Sequence, residues 1–565
     1  MLSAMSQLAA SEPEPCTTDS PARSSVPERS RSELFIALAV FFCACLYLWR
    51  LRDFVVFDGD EGFTLAGAER ILRGKIPYRD FFASYTLGSF YQTAILFKLF
   101  GNSLIVARTA LVAYAGIFAA ITYLLTRRLY GRPTALLAAA LLIFGGMPSS
   151  FIALHNWDST LFAVLAVYCA QRLLDSPNRI WPFSLGVATA LTLLTEESKG
   201  AGLLLGLGIA AIALSFSQRN RRFACLKNIG SAAAGFAIPS LLTLGYFASK
   251  HATAAMLETW LWPLHHYRQA NRVPYGFPLI SPWDLRAMYT TGPWVERIFT
   301  IIFTAPIFLI PAFAVLVCAV TLYASLLRHK TGPSKALDVR VLGGCIFIGV
   351  FLSTLVGRTD FPHLQFLSPL FMYLVPTLLD FQHPSVQSLY QSRTVVAGVL
   401  LFSFSGFGIA ELLKAGIPTA KLVTRRGTVR FISPDEVIPF VQDHTVPGQH
   451  LYIHPYQPFY SYMTGTVNPT HFEALQPGMA TAEQYQTTID DLAADQTPVV
   501  LLDTAFADNI AQYWFSTPLA AVVNDPVGDY ILKHYRTCQV LNSSRQAVGR
   551  FYYMVRADLP CPARP

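Results

Sequence analysis

Two neighbouring stretches decide the fold: LFIALAVFFCACLYLW, residues 34–49, and FDGDEGFTLAGAERILRGKIPYRDF, residues 57–81. The first is apolar enough for a bilayer span, which takes about 20 such residues. It is long for a signal-peptide core, and no small-x-small cleavage site follows it, so it reads as a retained first span. The second sets Asp58, Asp60, Glu61, Glu69 and Asp80 among Arg70, Arg73, Lys75 and Arg79. Charge inside hydrocarbon is costly, so this stretch lies beside the membrane rather than in it.

The pattern repeats down the chain. Apolar runs recur at 103–126, 133–150, 157–174, 181–195, 201–217, 229–247, 297–318, 340–357, 364–380 and 394–414. With 34–50 they predict a mainly α, polytopic membrane protein of about eleven transmembrane helices. Composition agrees: 53% of the 565 residues are hydrophobic and 14% charged, against about 25% charged in soluble domains. No internal repeat marks a solenoid or propeller. The formal charge of +8 implies no nucleic-acid partner, because the cations sit in the connectors.

Connectors 126–132, 171–179, 217–227 and 326–340 are basic, while 145–156, 195–200 and 357–363 hold few cations. Arg50 and Arg52 beyond the first span oppose Arg29 and Arg31 before it, but the sum over all loops puts the N-terminus in the cytoplasm. Residues 1–33, rich in Ser, Pro and Glu, read as a disordered cytoplasmic tail. Residues 34–414 form the membrane domain, with long outer loops at 51–102 and 248–296 in which short helices are expected on the outer face. An odd number of spans places 415–565 outside the cytoplasm. That region reads as a small α/β domain: helical patterns at 433–444 and 481–495, strands at 448–454 and 498–503, then a helix end and two strands. Its Cys538 and Cys561 can pair if the domain meets an oxidising compartment.

Asp58-x-x-Glu61 resembles a capping box, with Asp60 suited to the helix dipole. Helix-end chemistry therefore accounts for the acidic cluster taken alone. It does not account for Arg79 and Asp80 between aromatics, or for the ionisable groups at span ends on the same predicted side. These are His155 and Asp158, Glu196 and Lys199, and Arg358, Asp360 and His363. Each has a plain reading: Lys199 pairs with Glu196 one turn away, Arg358 pairs with Asp360, His155 and Asp158 cap a span, and His363 is interfacial. Together they imply a polar cavity on the outer face. Glycosyl transfer from a lipid-phosphate sugar needs such a place: a carboxylate to deprotonate the acceptor hydroxyl, cations to hold the departing phosphate, and an apolar groove for the lipid.

The Asp60-Glu61 pair early in the first outer loop, within FDGDEGFTLAGAERILRGKIPYRDFF, resembles the GT-C membrane glycosyltransferases. These include the protein O-mannosyltransferases and lipid A aminoarabinose transferases, and the similarity is strongest to family 39-like, Rgt-type enzymes. The resemblance implies inverting transfer of a hexose or pentose from a polyprenyl-phosphate donor at a periplasmic active site in the plasma membrane. It implies Asp60 as general base, Glu61 as its support or a metal holder, and a role for Asp80. The aminoarabinose transferases carry a Lys-Pro-Pro element that meets the donor phosphate. Here the corresponding SYTLGSFY, 84–91, has neither Lys nor Pro, which leaves Arg79, Lys199 and Arg358 as phosphate contacts, the last two ranked first. Partners implied are the donor, membrane lipids and a glycan, lipid or protein acceptor. Clustered carboxylates suit a divalent cation, but spacing assigns no metal ligand and no cofactor. The alternative is a transporter or flippase for a lipid-linked sugar. Its charges would sit at midspan within mirrored halves, which this sequence does not show.

Overall fold

The computed structural model describes residues 28–55, 59–83, 85–176, 178–215, 226–273, 275, parts of 293–319, 335–379, 393–417, 420–506, 510, 517–544 and 550–562. The first helix, α1, runs Glu28–Leu48. It begins ahead of the expected boundary at residue 34, because Glu33 is tied down by Tyr123, Arg127 and Arg132 at 2.6, 3.2 and 3.0 Å. Helices α2 (Gly59–Leu72) and α3 (Gly88–Phe100) fill the first outer loop. Then come α4 (Leu104–Arg127), α5 (Arg132–Gly146), α6 (His155–Leu173), α7 (Ile180–Thr195), α8 (Glu197–Ser215) and α9 (Leu226–Ser249). Helix α10 (Thr253–Asn271) lies in the second outer loop. Further helices span Lys335–Val356, Phe361–Phe371 and Arg393–Gly416. Of the expected span 297–318, half lies outside the described residues, and its described residues are helical.

Among the described residues, five helices are long and apolar enough to cross a membrane: Arg31–Leu51, Leu104–Arg127, Glu197–Ser215, Leu226–Ser249 and Ala336–Val356. Large apolar side chains such as Phe35, Leu46, Leu205 and Leu242 are exposed on them, as lipid-facing surfaces require. Between helices, small residues replace the hydrophobic effect as the means of close packing. A Cβ on Gly349 would lie 2.3 Å from the Gly202 carbonyl and 2.5 Å from the Gly206 amide, so α8 and Lys335–Val356 touch backbone to backbone.

Residues beyond Gly416 form a hairpin, β1 (Ala420–Thr424) with β2 (Gly427–Phe431), and a four-stranded sheet. The sheet strands are β3 (Tyr452–His454), β4 (Val499–Asp503), β5 (Tyr535–Asn542) and β6 (Arg550–Arg556). Their order is β3-β4-β6-β5, with β3 and β4 parallel and the remaining pairs antiparallel. Period-2 alternation gives the sheet two apolar faces. Val500 and Met554 pack under the tail's own helices Ala482–Asp495 and Pro526–His534, against Leu492, Val527 and Ile531. Val499, Leu501, Phe551 and Tyr553 share one core with Leu65 of α2, Phe97 of α3 and Leu104 of α4. The tail and the outer ends of the membrane helices are thus joined by a continuous apolar core. A disulfide links Cys538 to Cys561.

Candidate active site

Helix α2 presents its first two carboxylates in opposite directions. Asp60 is exposed and Glu61 is sealed. Glu61 is bound by other elements. Its two oxygens take Nε and Nη2 of Arg108 from α4, at 2.8 and 2.5 Å, and Oε1 also accepts the Ala153 N–H at 2.8 Å. Asp58 lies outside the described residues. Glu61 therefore anchors α2 to α4 and to the residues before α6, and so fixes where Asp60 stands.

One partner of Asp60 comes from the tail. The Tyr456 hydroxyl donates to Asp60 Oδ1. Two glycines make room for this approach: a Cβ on Gly59 would fall 2.0 Å from the Tyr456 ring, and one on Gly62 would fall 2.2 Å from the Phe459 amide nitrogen. The far end of α2 is bound to the tail by charge. Arg70 pairs with Glu473 at 2.5 Å and donates to the Asn468 and Thr470 carbonyls at 3.1 and 2.9 Å, while Glu69 meets Arg426 and Arg73.

Other elements converge on His155. His155, at the start of α6, stacks on Tyr85 with centroids 4.1 Å apart. It lies within electrostatic reach of Asp60, Glu196, Lys199 and His363. Asp158, one turn on, is buried and accepts from Gln92 of α3 at 2.9 Å. Lys199 is enclosed: its ammonium sits 2.8 Å from Glu196 and donates to the Asn156 carbonyl, Ser159 Oγ and Thr160 Oγ1 at 2.9, 2.7 and 3.0 Å. An ammonium has three protons, so these partners saturate it, and Lys199 ties α8 to α6.

Asp360 meets Arg358 through Nε and the His363 ring through Nδ1, and caps Phe361–Phe371 by accepting the His363 N–H at 3.3 Å. Burial alone would raise the Asp360 carboxyl, but the charges of Arg358 and His363 outweigh it and hold the group far below the usual carboxylate range. The loop is fastened to the residues just after α10, where the Thr359 N–H and hydroxyl both donate to the Val273 carbonyl, at 2.9 and 2.8 Å.

Arg79 and Asp80 pair with each other at 2.8 and 3.0 Å, Arg79 also donates to the Lys250 carbonyl at 3.0 Å, and Asp80 accepts the Ile76 N–H at 2.7 Å. The Arg79 hydrogen bonds lower the Asp80 carboxyl more than its partial burial raises it. This pair braces the first outer loop against α9. Trp260 of α10 donates to the Tyr78 hydroxyl at 2.8 Å, and the Phe82 N–H to the His471 carbonyl at 2.9 Å, completing the wall.

Among the described residues no group of three metal-ligating side chains converges. Sequence reasoning missed Tyr456, Tyr85 and Arg108. The sole signal for Tyr456 is the aromatic density of HPYQPFYSY, 454–462.

Residues 85–244 match the family model described as dolichyl-phosphate-mannose-protein mannosyltransferase. No curated protein sequence matches the chain. Among solved structures the chain is similar to ArnT from Cupriavidus metallidurans. It matches the form bound to undecaprenyl phosphate at 11% identity and a TM-score of 0.53, and the apo form at 12% and 0.55; both alignments cover 95% of this chain and 100% of the other. The chain is thus a multi-pass membrane protein with the fold of the ArnT structures, and its residues 85–244 are similar to the mannosyltransferase family model.

Proposed function

We propose that the protein transfers a sugar from a polyprenyl-phosphate donor to an acceptor hydroxyl with inversion, on the extracytoplasmic side of the plasma membrane. The observation that carries this reading is the position of Asp60. It is an exposed carboxylate at the start of a helix, within electrostatic reach of His155, which also faces the Glu196–Lys199 pair and His363.

In this reading Asp60 accepts the proton of the acceptor hydroxyl as its oxygen attacks the anomeric carbon. The bond from that carbon to the phosphate oxygen breaks on the opposite face, and the polyprenyl phosphate leaves with the electron pair. Arg358 and His363, oriented by their shared carboxylate, meet the developing phosphate charge. Lys199, closed in by its own partners, and Arg79, spent on Asp80 and Lys250, hold the walls. Glu61, Asp80, Asp158 and Glu196 keep the outer loops and α6 in register. The similar ArnT structure, bound to undecaprenyl phosphate, supports a lipid-phosphate donor. The Cys538–Cys561 disulfide supports a tail outside the reducing cytoplasm.

The test is mass spectrometry of envelope glycans and lipids from cells lacking the protein, complemented with wild type or Asp60→Asn. A sugar unit restored by wild type and not by the variant is expected. Restoration by Asp60→Asn at wild-type levels would remove the general base from the scheme.

A further inference from the structure

We propose that Tyr456 of the C-terminal tail is a positioning residue of the transfer site, holding the Asp60 carboxylate in one orientation for the acceptor hydroxyl. This rests on the reading of Asp60 as general base.

The phenol meets Asp60 Oδ1 across 396 residues of sequence, and its place is fixed from both directions. On the α2 side, Gly59 leaves the space its ring occupies and Gly62 lets the Phe459 backbone seat directly on the helix. On the tail side, His454, almost wholly buried, is bonded to Asp525 at 2.7 Å, and Tyr456 enters the short helix Pro458–Thr464, every residue of which is buried. A carboxylate in the first turn of a helix has several rotamers open to it; a rigid donor at one oxygen selects among them.

The chemistry of the donor matters as much as its position. Glu61, next in sequence, is bound by a guanidinium and closed off from solvent. Asp60 receives a neutral phenol and stays exposed. His155 on α6 lies within electrostatic reach of Asp60, and itself faces Glu196 and Lys199 at the α7–α8 junction and His363 beyond the 357–360 loop. One helix turn thus carries a carboxylate fixed by charge for structure and another fixed by a neutral donor for reaction.

The experiment uses the full-length protein in liposomes with a panel of undecaprenyl-phosphate hexoses and pentoses, following release of undecaprenyl phosphate in the presence of an envelope extract. Tyr456→Phe is expected to lower kcat by about ten- to a hundredfold with the donor KM unchanged. Gly59→Ala, which drives the ring away while keeping the phenol, reproduces the loss of kcat with the donor KM unmoved. Wild-type kcat in Tyr456→Phe, with Asp60→Asn inactive, overturns the role of Tyr456 alone. A lower kcat with a raised donor KM and a lower melting temperature makes Tyr456 a packing residue and overturns it too. An active Asp60→Asn overturns the base itself, and is read independently of Tyr456.

Discussion

Arg108 grips Glu61 with two N–H groups, at 2.8 and 2.5 Å, in a place where neither side chain is more than 1% exposed. Breaking such a pair leaves a naked buried charge, at a cost of about 3–5 kcal/mol, whereas replacing both members is often close to neutral. Arg108→Met and Glu61→Leu are each expected to unfold the outer face, and the double variant to recover most of the loss. Melting curves of the detergent-solubilised protein measure all three.

Lys199 and Arg358 separate by the same logic. Lys199→Met strands Glu196, which packs beside Ser159 and Asn156, so its expected effect is on stability, again about 3–5 kcal/mol. Arg358→Lys loses the planar fork that suits a phosphate, so it is expected to raise the donor KM about tenfold with little change in melting temperature. Donor titration and melting of the two variants, side by side, check the assignment.

Asp360 gives a pH test. Its folded-state carboxyl is held below the ordinary value by Arg358 and His363 against the pull of burial. A depressed acid contributes stability above its unfolded pKa, near 4, and loses it as pH falls toward the folded value. The melting difference between wild type and Asp360→Asn is expected to hold constant from about pH 8 to pH 5 and to shrink below about pH 4. A difference that grows on acidification would contradict the arrangement.

Gly62 tests how firmly the tail is seated. Its added methyl group meets the Phe459 main chain rather than a flexible side chain, so the tail must lift. Gly62→Ala is expected to cost about 1–3 kcal/mol and to expose the segment after Gly416 to limited proteolysis.

Much of this was legible in the residues themselves. Hydrophobic runs located the helices, because a bilayer leaves the backbone few other ways to satisfy its hydrogen bonds. The Glu196–Lys199 and Arg358–Asp360 pairs were readable because their partners lie within one turn. The acidic cluster at 58–61 was readable as a helix start but not as two divergent carboxylates, since the partners of Glu61 stand at 108 and 153 and one partner of Asp60 at 456. Local pattern carries no information about contacts closed by the fold over such separations. The β1–β2 hairpin escaped notice because TRRG offers only a single turn residue between short, charged strands.

The contacts among the outer elements also count membrane crossings. Asp60 touches Tyr456, Tyr85 stacks on His155, Glu197 accepts from Thr86, and Val273 accepts from Thr359. Two residues that touch at one surface of a bilayer are separated by an even number of passages through it. The parity of every intervening segment is thereby constrained without reference to any charged connector. The chain has to cross and return in pairs before residue 456 can arrive at residue 60, so the tail, made last, is needed to finish a pocket whose first wall was made near the start.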